Sequence, residues 1–326
     1  MRPLSDVLTE ERRLSKRLQR LAAAEQRNLE RSDRIEQRFE AEASHGEVAF
    51  MARLLTLCAL PRRSRGDERQ YIRRNGPYTM IVTATGQPGL PFGTLPRLLL
   101  AWICTEVVRT QSARLRLGAT LAEFMRELGL TSRSGGVRGD RTRLRDQIER
   151  LFNASIRLSY EGKGVTRSVA SMIADRSELW WRVESPETMS LWGSTVRLGK
   201  GFCQEILHRP VPVDMATLRT LRSCPLGLDL YLWLTYATFK LDRPRRVTWP
   251  LLYRQFADEP SEQYDKNEVQ MFRRRALREL GKIKTAWPTL DYRVEAGRRG
   301  RNNRAGALVI GPTTPKIPAR RSRVAR

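Results

Sequence analysis

One order of elements is readable twice along this chain: helix, strand, helix, helix, strand, turn, strand. Few folds accommodate it. In the first copy, hydrophobic spacing predicts a helix over 95–110, centred on Leu98-Leu-Leu-Ala-Trp102, and a short strand over 114–117. Thr120 caps a helix containing Leu121, Phe124, Met125 and Leu128, which Gly129 stops. A glycine-rich loop then leads into a helix over 138–153. A strand over 155–160, a glycine turn at 161–164 and a returning strand over 167–174 complete the copy. The second copy opens with a helix over 225–240, apolar almost all round, which places it in a core. A strand around Val247, a helix over 250–256 and a long helix over 265–285, halted before Pro288, follow. A strand over 290–295, a basic glycine turn over 297–304 and a strand over 307–310 end it.

This is the order of a winged helix. The expected fold class is therefore α+β, with two winged-helix domains in tandem, a helical charged N-terminal arm and a basic C-terminal tail. The boundaries read as 1–60 for the arm, 61–213 and 214–313 for the two domains, and 314–326 for the tail. Leu14, Leu18 and Leu21 stripe the arm at helical spacing. That stripe fits either a solvated arm or a dimer or partner helix, and the heptad is too irregular to choose. Residues 61–76 read as a basic loop and 78–83 as a strand. Between the copies, strands over 179–183 and 195–198 and a helix over 200–207 are expected.

Charge narrows the partner. Lys and Arg number 60 against 35 Asp and Glu, a formal +25, and a chain that repels itself this strongly is built for a polyanion. Nucleic acid comes first and an acidic membrane surface second. The longest apolar run, 98–104, is far short of the roughly 20 residues that span a bilayer. No apolar core follows the first basic residue, so no secretory signal is read. Four scattered cysteines suggest a reduced cytoplasm and no zinc site.

A winged helix lays its third helix in the major groove and sets its wing against the backbone. In the second copy Val269, Phe272, Ala276, Leu280 and Ile283 form the core face of that helix. Asn267, Gln270, Met271, Arg274, Arg278 and Lys282 form the opposite face, with no acid among them. Asn and Gln pair with adenine and Arg with guanine, so this face suits base reading. The wing arginines Arg298, Arg299, Arg301 and Arg304 suit phosphates or a minor groove. In the first copy the third helix packs through Leu144, Ile148, Leu151 and Phe152. Its outer face mixes Thr142, Asp146, Glu149 and Arg150, a poorer groove reader. The loop before it, with Arg133, Arg138 and Arg141, offers backbone amides and arginines for positioning phosphates, and leaves room for a dimer surface. A nucleotide loop would need a Gly-Lys-Ser/Thr ending, which is missing.

No catalytic site, cofactor or metal site is expected. The two histidines, His45 and His208, lie far apart and cannot form the metal-holding cluster of a nickase. No serine or cysteine carries a nucleophile signature.

Several segments resemble the RepA-type plasmid replication initiators. They are Gly93-Thr-Leu-Pro-Arg-Leu-Leu-Leu-Ala-Trp102, Arg138-Gly-Asp-Arg-Thr-Arg-Leu-Arg145, Leu151-Phe-Asn-Ala-Ser155, Pro225-Leu-Gly-Leu-Asp-Leu-Tyr-Leu-Trp-Leu-Thr235 and Arg278-Glu-Leu-Gly-Lys-Ile-Lys284, spread over about 66–318. The resemblance implies a bacterial cytoplasmic protein that binds repeated origin sites (iterons) in duplex DNA. It implies local opening, recruitment of host helicase and initiator proteins, and repression of the protein's own gene, with dimers serving repression. Two other readings stay open: a winged-helix transcriptional repressor without initiator activity, and an origin-nicking enzyme.

Overall fold

Helices made of Leu, Ile and Trp on every face can only be interior, and two such helices set the plan of this protein. The computed structural model describes residues 48–117, 124–126, 128–130, 139–162, 165–178, 194–208, 210–239, 241–258, 265–297 and 306–317. All belong to one unit, His45–Pro318. The expected charged arm up to residue 47 and the tail from 318 lie outside the described residues, as do the expected strand over 179–183 and most of the helix that Thr120 should cap.

The chain runs through β1 (Val48–Ala52), α1 (Arg53–Leu57), β2 (Gln70–Asn75), β3 (Tyr78–Ala84), α2 (Leu95–Thr110) and β4 (Arg114–Arg116). Next come α3 (Asp140–Phe152), β5 (Ala154–Gly162), β6 (Val165–Met172), β7 (Ala174–Glu178), β8 (Thr195–Leu198), α4 (Lys200–His208), β9 (Pro210–Asp214) and α5 (Met215–Thr220). The last part holds α6 (Pro225–Thr238), β10 (Arg245–Thr248), α7 (Trp249–Phe256), α8 (Lys266–Ala286), β11 (Tyr292–Glu295) and β12 (Ala307–Ile310). Among the described residues every strand pairing is antiparallel.

Proline in the first turn starts both central helices, where its missing N–H costs nothing. In α6 each residue from Leu226 to Leu234 is buried, and α2 buries Leu98 through Cys104 without a break. One charged pair joins them. Arg97 on α2 and Asp229 on α6 are 4% and 5% exposed, and their two-pronged contact measures 2.6 and 2.9 Å. The guanidinium also donates to the carbonyls of Leu60, Gly93 and Pro61 at 2.7, 2.6 and 3.2 Å. Such complete satisfaction is what a buried charge requires.

The second half follows the expected order: α6, β10, α7, α8, β11, β12. Its sheet has the order β10-β12-β11, with β12 central and buried at all four positions. Thr248 precedes α7, and Asp265 caps α8 by accepting from the Asn267 N–H at 3.1 Å.

The first half departs from expectation in its pairing. Its described elements occur in the expected order, but β4 pairs with β8, which the sequence reading places between the copies. The hairpin β5–β6 is not a free wing. Strand β3 pairs with its other side, giving a four-stranded sheet ordered β2-β3-β5-β6. Fully buried Ile173 breaks the returning strand, so β6 serves this sheet while β7 joins β8 and β4 in a second one. Gly199 permits the crossing, since a Cβ there would overlap the Met172 carbonyl oxygen. Residues 70–75, expected as loop, form β2, where alternate positions are buried. Residues 48–60, expected in the arm, form β1 and α1 and the buried run Cys58-Ala59-Leu60-Pro61 that follows. Strand β1 pairs with β9, also unexpected, and Ala49, Phe50, Met51 and Ala52 are at most 1% exposed.

Candidate nucleic-acid interface

The long helix α8 is continuous over 21 residues. Val269, Phe272, Ala276, Leu280 and Ile283 are buried, as the spacing predicts. Phe272 meets Tyr253 of α7 edge-on, ring centroids 5.9 Å apart, which packs α8 against α7. With one side anchored, Asn267, Gln270, Met271, Arg274, Arg278 and Lys282 are all exposed, Met271 by 49%. Five of these are polar or cationic, so the helix presents a hydrogen-bonding, positive surface about four turns long.

Lys282 is less available than its neighbours, because both oxygens of Glu279 hold its ammonium, at 2.9 and 3.0 Å. Glu279 is itself buried, and a Cβ on Gly227 of α6 would stand 2.8 Å from its Oε2. The glycine is therefore the room that this carboxylate occupies. Arg273, Arg274 and Arg275 are consecutive, and a turn of about 100° per residue sends them to different places. Arg273 stacks on Trp249 at 5.8 Å, Arg274 lies on the exposed face, and Arg275 lines a cleft beside α8. Sequence reasoning named only Arg274 of the three; Arg275 falls between the core face and the face expected to read bases, and had no assigned task.

Strands β11 and β12 form the hairpin whose tip would be the wing. Arg298, Arg299, Arg301 and Arg304 lie outside the described residues. At the base, Arg246 pairs with Glu295 at 2.7 Å.

The first half offers a weaker surface, for a reason only geometry supplies. On α3 the acids are matched by arginines of the same helix: Asp146 with Arg150 at 2.8 Å, Glu149 with Arg145 at 3.0 Å. The guanidinium of Arg150 also sits over the Phe92 ring at 5.3 Å, and Gln147 accepts from the Phe92 N–H at 2.9 Å. One flank of α3 is thus spent on the 86–92 segment. Thr142 is exposed and Arg141 half-buried, while Arg133 and Arg138 lie outside the described residues.

Buried Cys58 and Cys104 have their thiols pushed up to about 12 by desolvation, far from nucleophilic. Among the described residues no group of three His, Cys, Asp or Glu side chains could hold a metal, and no helix is long and apolar enough to cross a membrane.

By architecture this is a mixed α+β protein that exposes a basic helix beside an antiparallel hairpin. Residues 90–251 match the family described as plasmid-encoded RepA protein. The match is narrower than the resemblance read over 66–318, and it ends before α8. Among solved structures, the crystal structure of selenomethionine derivatives of domains 2 and 3 of RctB is similar. It is 13% identical with a TM-score of 0.50, covering 79% of this chain and 96% of that one. A second crystal structure of RctB domains 2–3 gives 14% identity and a TM-score of 0.48 over 80% and 96%. No curated protein matches the sequence.

Proposed function

We propose that this chain is a plasmid replication initiator that binds repeated origin sites in duplex DNA, with α8 as the base-reading helix of a second winged-helix domain, 214–313. The observation that carries the reading is the two-sidedness of α8: one face locked in the core, the other presenting Asn267, Gln270, Arg274 and Arg278 to solvent. An α-helix of this kind fits a major groove, and these residue types match base edges there. The wing arginines Arg298, Arg299, Arg301 and Arg304 would lie on the adjacent backbone. The first domain, 61–213, would position phosphates through Arg133, Arg138 and Arg141 and carry any homodimer contact. The family match over 90–251 supports the initiator role.

The mechanism is non-catalytic. Binding energy from phosphate and base contacts goes into distorting or opening origin DNA and into presenting a surface to host helicase and initiator proteins. Dimers on the promoter would repress the gene itself. Footprinting the purified protein on plasmid DNA tests the reading. Protected repeats spaced by whole helical turns are expected; a plasmid that replicates unaided after loss of the gene would overturn the initiator role. Incubation with supercoiled origin DNA and a divalent metal should leave the DNA uncut, and a covalent protein–DNA adduct would refute the non-catalytic mechanism.

A further inference from the structure

Beside the reading face of α8 lies a cleft of about 600 Å3. One wall is the loop Arg62-Arg63-Ser64-Arg65; the other is the flank of α8 that carries Met271, Arg275 and Arg278. The loop is fastened to the end of α7. The Arg62 N–H donates to Asp258 Oδ1 at 3.1 Å, the Arg62 guanidinium to the Phe256 carbonyl, and Arg65 to the Asp258 carbonyl at 3.0 Å. Arg62 and Arg65 are therefore occupied in holding the loop. Arg63, Arg275 and Arg278 are exposed and make no hydrogen bond or ion pair among the described residues.

Five arginines line the cleft against three carboxylates, and each carboxylate is already engaged. Asp258 faces Arg62, Glu268 accepts from the Tyr253 hydroxyl at 2.7 Å, and Glu279 holds Lys282. The surplus charge is thus concentrated on groups that nothing in the body of the protein uses. Met271 and Arg278 belong to both the cleft and the reading face, so the two surfaces are continuous.

Geometry says what this cleft would meet. A helix about 10–12 Å across nearly fills a major groove about 12 Å wide. Side chains on the axis of insertion reach bases, whereas those about a quarter turn away face the sugar–phosphate wall. Arg275 stands about 100° round from Arg274, and Arg63 lines the same cleft from the 62–65 loop.

We propose that the cleft between the 62–65 loop and α8 is a second DNA contact, a clamp on one strand's phosphates flanking the base pairs that α8 reads. Arg63 and Arg275 contact phosphate, and Arg62 and Arg65 are positioning residues. The clamp rests on the reading of α8 given above, and it makes that reading bipartite: residues preceding the first domain's sheet help the second domain hold DNA.

The test measures affinity against salt for a random-sequence duplex and for a fragment of the plasmid origin. The proteins compared are the full chain, Arg63→Ala, Arg275→Ala, the double variant and Arg63→Lys. Each lost phosphate contact should lower the slope of log affinity against log salt by about 0.9. Between ~50 and ~200 mM salt, each alanine variant then loses roughly threefold less affinity than the full chain. The preference for origin over random sequence stays unchanged, and Arg63→Lys keeps the original slope. Circular dichroism confirms that the variants fold. Wild-type slopes in both alanine variants, or a changed sequence preference, would overturn the clamp while leaving the α8 reading intact. Failure of the full chain to bind either duplex would sink both.

Discussion

Arg97→Met should uncouple the two halves of this protein. The substitution keeps the aliphatic stem but removes every donor that the carboxylate of Asp229 faces at 2.6 and 2.9 Å. It also strips the carbonyls of Leu60, Pro61 and Gly93 of a partner. Asp229 is 5% exposed, so water cannot take over. Breaking one side of a buried pair costs about 3–5 kcal/mol, a large part of the ~5–15 kcal/mol that holds a typical domain. Removing both charges in Arg97→Met/Asp229→Leu relieves the orphaned carboxylate but not the orphaned carbonyls. The double variant should therefore recover part of the loss, with a coupling energy of about 2 kcal/mol or more. Urea unfolding followed by tryptophan fluorescence reads this directly, since Trp102 lies on α2 and Trp233 on α6, both buried. One cooperative transition is expected for the parent and an earlier, broader one for Arg97→Met. A single variant within ~0.5 kcal/mol of the parent, or simple additivity in the cycle, would refute the idea that this pair fastens the halves.

Other consequences can be checked separately. Arg274→Ala should cost about 1–3 kcal/mol of duplex affinity and relax discrimination at one base pair; a footprint with the same sequence preference would count against α8 as the reader. Gly281 lies on the exposed side of α8 with nothing within 4 Å of a built Cβ and no positive φ. Gly281→Ala should therefore stabilise the fold by about 0.5–1 kcal/mol, visible as a raised thermal midpoint; a lowered one would mean that the helix is not regular there. Cys58 and Cys104 titrate near 9.0 when unfolded but at about 12 when folded. Above pH 9 the unfolded chain sheds protons that the folded chain keeps, so stability is full below that pH and falls as it rises toward 12. The urea midpoint should drop from about pH 8 to about pH 10, and drop less in Cys58→Ala/Cys104→Ala; equal drops would show that these thiols are not the cause.

Much of the local structure was legible before any coordinates. The expected helix over 95–110 and strand over 307–310 coincide with α2 and β12, and α8 begins and ends within a residue of its expected bounds. These elements are legible because periodicity and capping are properties of neighbouring residues. The same locality explains the misses. Strand β9 was hidden because Pro210 and Pro212 argue against a strand, yet it survives by pairing with β1 from the far end of the described body. The strand β2 was hidden in an arginine-rich run, because Arg73 is buried only where Tyr71 and the carbonyls of Arg254 and Asp258 surround it.

At the candidate site the division is the same. Residue order alone decided that α8 would have an apolar face and a positive face, since a helix fixes where every third and fourth side chain goes. The same spacing sets Lys282 three residues from Glu279 and matches Asp146 and Glu149 with Arg150 and Arg145 along α3. Only the folded chain decided that Glu279 would be buried against Gly227 of α6, and that Arg63 and Arg275 would line one cleft. Each of those outcomes depends on which distant surfaces come into contact, and contact between distant surfaces is set by how whole elements pack rather than by any stretch of sequence read alone.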